Sequence, residues 1–183
     1  GVHLDPPLPG ARAGIREAPA DPDRAAVRSA LAQDRVMALE TVEGIAARHG
    51  AIAAVNAGFF VVRNGDPAGV LEVDNELVSD ASLFRGAVGF VRDDGKRTRL
   101  LFDRLSAEVS VEYRVSDELV TVPVNGVDTT RARGQLMLYT PRFGPDSDTA
   151  ATGVEWQLGG SPLRVLDRRE NAGRTPIPRD GGV

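Results

Sequence analysis

Asn56 stands in an apolar run, Ala53 to Phe60 (AAVNAGFF), and a Gly-Asp-Pro-Ala-Gly turn follows at Gly65 to Gly69. A buried amide left without partners for its C=O and NH2 costs about 1–3 kcal/mol. Either the fold satisfies Asn56 internally, or a strand delivers it to a pocket where a ligand does. Four further residues carry useful chemistry: Asp66 within the turn, Asp128, Arg131, and Arg85 just before Gly86. Carboxylates serve as bases or stabilise cations, and a guanidinium fork matches phosphate or carboxylate oxygens. Each also has a plain structural reading. Asp66 and Asp128 suit Asx-type turns, Arg131 suits a loop anchor, and Arg85 suits an edge strand. The two histidines, His3 and His49, are far apart and there is no cysteine. That gives no metal-site signature, and no cofactor is expected.

The elements that must position these residues are mostly strands. The clearest helix runs from Thr41 to His49. Thr41 is a suitable N-cap, Val42, Ile45 and Ala46 form an apolar stripe, and Gly50 stops it. His49 sits where a helix C-terminus favours positive charge. A second helix is expected by propensity over Asp21 to Gln33, with a strand through Ala26 to Ala30 as its alternative. Ala51 to Val55 reads as a short buried strand leading into Asn56. Ala68–Val73 and Glu76–Val78 flank Asp74-Asn75, and Ala87–Arg92 and Thr98–Phe102 flank Asp93 to Lys96, both hairpin signals. Ala107 to Val115 alternates apolar and polar residues as a half-buried strand does, and Leu119–Val122 pairs with it across Ser116-Asp117. Gln135–Thr140, Val154–Leu158 and Leu163–Arg169 complete the series. Phe59, Phe60, Tyr139 and Trp156 are expected in the core. Arg12–Glu17 is a candidate strand in an otherwise extended arm over residues 1–20. The fold class is α+β: few helices packed on a large, mainly antiparallel β-sheet system.

Composition narrows the function classes. The chain has 183 residues, 42% apolar and 26% charged, which suits one globular domain. Its net charge is -4, and no basic stripe is interleaved with aromatics, so nucleic-acid binding has no support. No apolar run approaches the roughly 18 residues of a membrane span. There is no disulfide framework, and no internal repeat.

Three blocks in order resemble the phosphodiester glycosidase family, the type of the N-acetylglucosamine-1-phosphodiester α-N-acetylglucosaminidase domain. The first is ETVEGIAARHGAIAAVNAGFF with the following NGDPAG. There Asn56, Gly58, Phe59, Phe60, Gly69, Glu76, Leu77 and Val78 match a helix–strand–"NgGFF"–turn–"G-x-L-V" pattern. The second is VNGVDTTRARGQLMLYTPRFG, where Arg131, Leu138, Tyr139, Thr140, Pro141 and Gly144 match and Asp128 takes the place of the usual asparagine. The third is GVEWQLGGSPLRVLDRRENAGRTPIPRDG. The likeness covers Glu40 to the C-terminus. The family's later "R-T-A-x-G" and "N-x-D-G-G-G-S" motifs do not occur. The resemblance therefore implies a single domain over 1–183, with its motif-bearing body at 41–183. It further implies that 1–183 is the N-terminal portion of that domain, completed by a further C-terminal segment or a second chain.

The resemblance implies hydrolysis of a sugar-1-phosphodiester in a glycan or cell-wall polymer by a secreted or extracytoplasmic bacterial protein. Such cleavage passes through an oxocarbenium-like transition state, and its phosphate leaving group needs little protonation. Arg131 and Arg85 would bind the phosphate, with Arg142 third. Asn56 would hold a sugar hydroxyl or phosphate oxygen, and Phe59 would line the sugar pocket. Asp128 and Asp66 would stabilise the anomeric cation or activate water, with Glu155 behind them. The ligand is then a carbohydrate or sugar phosphate. The alternatives are a non-catalytic glycan-binding module on the same fold and a structural or partner-binding fragment.

Overall fold

The computed structural model describes residues 26–79, 86–93, 97–105 and 107–183. The extended arm at 1–20, the candidate strand Arg12–Glu17, Arg85 and the turn at 94–96 lie outside the described residues. Helix α1, Val42–Arg48, forms where expected. Thr41 adopts an extended conformation and its hydroxyl accepts the Gly44 N–H at 3.0 Å, satisfying one of the donors that a helix start leaves orphaned. Gly50, at φ +61, supplies the left-handed residue that ends it. Arg48 ties the helix to the preceding segment through Glu40 and the Leu31 carbonyl, each at 2.9 Å.

The helix expected over Asp21 to Gln33 does not form in its described part. Residues 26–30 are exposed and without regular structure, and only a 3-10 turn at Ala32–Asp34 follows. Ala and Arg supply propensity, but this stretch has no apolar stripe to bury, and short helices are held mainly by packing. The strand expected at Ala51–Val55 is also absent. Residues 51–59 are exposed coil, Asn56 among them, so its amide is met by solvent rather than by the interior. An apolar run becomes a strand only if a second strand pairs with it, and among the described residues none does.

The remaining elements are β. Strands β1 (Leu71–Val73) and β2 (Glu76–Ser79) form an antiparallel hairpin with a bulge at Val78. Its turn residues Asp74 and Asn75 lie at φ +53 and +64, the pair of positive angles that a two-residue hairpin turn demands. Strands β3 (Gly86–Asp93) and β4 (Arg97–Arg104) pair in continuous register. Strands β5 (Ser110–Val115) and β6 (Glu118–Pro123) pair across Ser116-Asp117, again both at positive φ. Strand β7 (Gly126–Val127) runs parallel to β8 (Met137–Leu138). Strand β9 (Val154–Gly159) lies between β10 (Arg164–Glu170) and β11 (Gly181–Gly182).

The described residues thus form a mostly β structure of five small sheets with one α-helix, rather than helices on a large sheet system. The core is correspondingly small: Leu31, Val36, Val78, Tyr139, Phe143 and Val183. Met37, Leu71, Val73, Met137 and Ile177 pack against it. The Tyr139 and Phe143 rings meet at 4.6 Å, tilted by 51°. Val36 and Met37 join this cluster through their N–H groups, which donate to the carbonyls of Arg142 and Phe143. Tyr139 is in the core as expected, whereas Phe59 is 75% exposed, and Phe60 and Trp156 are exposed as well. The strand at β5 has its alternation, but Tyr113 and Val115 on its apolar face are exposed rather than half-buried.

Candidate functional site

Among the described residues, an open cavity of about 780 Å³ is set over the Tyr139–Phe143 end of the core. Three chain segments build its walls. The first is the loop after Phe60. The Phe60–Pro67 bridge and the Val61 N–H donating to the Asp66 carbonyl at 2.8 Å fold residues 60–67 into a compact turn. Gly65, at φ +86, presses this turn against Ala38. A Cβ there would lie 1.9 Å from the Ala38 carbonyl oxygen, so no other residue permits the approach. That contact delivers Arg63 and Asn64 to the pocket rim.

The second wall is Thr130 to Gly134, the loop between β7 and β8. Arg131 folds over the third wall, its Nη2 donating to the Thr152 carbonyl at 2.8 Å and to the Thr152 hydroxyl at 3.3 Å. Gly153 makes room for it, since a Cβ at that position would stand 2.8 Å from Arg131 Nη1. Arg133 lines the same wall. Neither Arg63 nor Arg133 has a side-chain hydrogen bond or ion pair to another described residue, which leaves two exposed guanidinium forks beside the pocket.

The third wall is Ser147 to Gly153. Behind it lies Glu155, buried on β9. Its Oε1 accepts the Ser147 hydroxyl at 3.1 Å and the Thr149 hydroxyl. Its Oε2 accepts the Thr175 N–H at 3.2 Å and the Thr175 hydroxyl. Burial pushes this carboxyl up, but the donors on Thr149, Thr175 and Ser147 outweigh burial and hold it below the usual carboxylate range. Asp148 lines the pocket, with Arg174 Nη1 3.5 Å away. On the floor, burial pushes the Tyr139 hydroxyl up to about 12, so it stays a neutral phenol.

Comparison with protein-family models, curated proteins and solved structures finds no match for this chain.

Of the residues selected from sequence, the structure brings Arg131 to the pocket. Asp66 is buried within the rim loop but does not line the cavity, and its N–H donates to Asn64 Oδ1 at 3.3 Å. Asp128 is fully buried at the end of β7. Its Oδ1 accepts the Thr140 N–H at 2.6 Å and its Oδ2 pairs with the Thr140 hydroxyl. Burial pushes its carboxyl up to about 7, more than the Thr140 hydrogen bonds pull it down. Asn56 and Phe59 lie in the exposed segment that precedes the rim loop and do not line the cavity. Arg142 forms an ion pair with Glu76 at 2.9 Å. Arg63, Arg133, Asp148, Ser147 and Thr149 line the pocket without having been singled out from sequence. Two arginines flanking Ala132 and the Asp-Ser-Asp-Thr run at 146–149 were the available signals.

Proposed function

We propose that this chain is a phosphodiester glycosidase-like domain that binds a sugar phosphodiester in the arginine-rimmed pocket. The observation that carries the reading is the convergence of Arg63, Arg131 and Arg133 from two separate segments on one cavity. Guanidinium groups grip phosphate oxygens in pairs, and a phosphodiester offers two such oxygens. The volume, about 780 Å³, suits a sugar with its phosphate and part of the aglycone. Asp148 is the carboxylate on the lining and takes the role of stabilising the anomeric cation. The neutral Tyr139 hydroxyl stands on the apolar floor. A glycan or cell-wall polymer outside the cytoplasm is the substrate class that the sequence resemblance suggests.

The test is release of free sugar from a sugar-1-phosphate methyl diester, with Arg131→Ala and Asp148→Asn in parallel. Loss of roughly 100-fold in turnover in each supports the reading, the scale expected when a group stabilising transition-state charge is removed. Unchanged turnover in both variants overturns it. A second reading, a glycan-binding module without turnover, is favoured by the burial of Asp66 and Asp128 away from the pocket. Tight binding of the same diester with no sugar released would select it.

A further inference from the structure

The Glu155 cluster does more than hold β9 to its neighbours. An ionised carboxylate accepts hydrogen bonds and donates none. Ser147 and Thr149 both contact Glu155 Oε1, so both hydroxyl protons point at that oxygen. The 3.2 Å contact between the two hydroxyls does not compete, because a charged acceptor outbids a neutral one. Each hydroxyl oxygen also accepts a backbone N–H from behind: Thr175 to Ser147 at 3.1 Å and Arg174 to Thr149 at 3.3 Å. A hydroxyl has one proton and two lone pairs. With the proton on Glu155 and one lone pair on Arg174 N–H, the Thr149 oxygen retains one lone pair. Both residues are on the pocket lining, but Thr149 is only part-buried, while Ser147 is 1% exposed and presents almost no surface to a ligand.

We infer that Thr149, oriented by Glu155, is a specificity-determining acceptor that selects pocket ligands carrying a hydroxyl or amide N–H donor beside their anionic group. Resting on the phosphodiester reading above, this gives the pocket two unlike walls. The arginine wall donates and takes the phosphate; the Thr149 wall accepts and takes a sugar hydroxyl or an acetamido N–H. A bare phosphodiester satisfies one wall only. Glu155 is a positioning residue, since its four contacts are all to the protein.

Calorimetric titration of the chain with two probes tests this: dimethyl phosphate, which has no donor, and a sugar-1-phosphate methyl diester, which has several. The intact chain is expected to prefer the sugar diester by about tenfold, the scale of one or two net hydrogen bonds. Thr149→Val keeps the shape, loses the acceptor, and is expected to bring the preference to within about twofold while leaving dimethyl phosphate affinity unchanged. Thr149→Ser restores the acceptor and with it the preference, which a merely structural role for the side chain would not require. Thr149→Ala serves the same purpose should valine disturb the loop. A preference that survives Thr149→Val, or equal weakening of both probes, overturns the inference. Equal affinity of the intact chain for the two probes overturns it while leaving the phosphate reading intact. Failure of the intact chain to bind either probe removes the phosphate reading and the inference together.

Discussion

Asp128 and Glu155 are both buried carboxyls, yet their surroundings move them in opposite directions. Asp128 meets one partner residue, Thr140, and burial dominates, so its carboxyl titrates near 7 in the folded chain against 3.8 for an ordinary aspartate. Below about pH 3.8 it is neutral in both folded and unfolded chains. Between about 3.8 and 7 the unfolded chain ionises first, so stability falls as pH rises; above about 7 the penalty is constant. Asp128→Asn removes that penalty, because an amide still accepts from Thr140 N–H and donates to its hydroxyl. The variant is expected to gain on the order of 2–4 kcal/mol at pH 8 and little at pH 4, checked by urea unfolding at the two values. Near neutrality a large fraction of this acid is therefore uncharged in the folded chain. Glu155 behaves conversely. Held below its ordinary value of 4.5, it stabilises the fold above that pH and loses the contribution as pH falls further. Glu155→Gln should flatten the acid limb of the stability curve and cost about 1–3 kcal/mol at pH 7, since buried hydroxyls lose a charged acceptor. That both residues titrate abnormally was not legible in the sequence. The sequence shows their type, whereas their state depends on how many donors the fold turns toward them.

Elements governed by adjacent residues were legible, and those needing a distant partner were not. Helix α1 was read from Thr41 and Gly50, both of which act within a few residues of themselves. Thr41→Ala should cost about 1 kcal/mol, seen as a lowered thermal midpoint. The Asp74-Asn75 and Ser116-Asp117 turns were read for the same reason, each being closed by its own positive φ angles. Ala51–Val55 has an apolar run like that of a buried strand, but pairing is decided by other segments. The packing of β11 also escapes a local reading, because Gly181 and Gly182 carry no strand propensity of their own. Gly181 pairs with Gly159, and a Cβ at Gly181 would fall 1.9 Å from the Leu158 carbonyl oxygen. Backbone on both sides cannot yield, so Gly181→Ala should cost roughly 3 kcal/mol or more in denaturant unfolding. Gly86→Ala, where a Cβ meets nothing within 4 Å, is the matched control and should stay within about 0.5 kcal/mol.

Across the whole molecule, apolar content exceeds the described core. Val88, Phe90, Leu100 and Phe102 share one face of the β3–β4 hairpin, paired as Val88–Phe102 and Phe90–Leu100, and all four are exposed, Phe102 by 73%. Val55 is 85% exposed and Val62 79%. Composition announces a globular domain, but it cannot say which apolar residues find the interior. Among the described residues no helix is long and apolar enough to cross a membrane. A hydrophobic fluorophore should therefore brighten on the native chain under conditions where unfolding is still cooperative. Phe102→Ser should dim it while leaving the free energy of unfolding within about 0.5 kcal/mol, and a chain that leaves the dye dark would contradict these exposures. The core itself is stitched from far-apart segments, as in the backbone hydrogen bonds from Val36 to Arg142 and from Val183 to Tyr139. Hairpins such as β1–β2 and β5–β6 close in about 1–10 μs, while a loop running from Val36 to Arg142 must first overcome its closure entropy. Folding of this chain is consequently expected to be two-tempo, its hairpins opening and re-forming many times before Val36 meets Arg142, so that Val36→Ala should slow refolding measured by stopped-flow fluorescence more than Thr121→Ala does on β6.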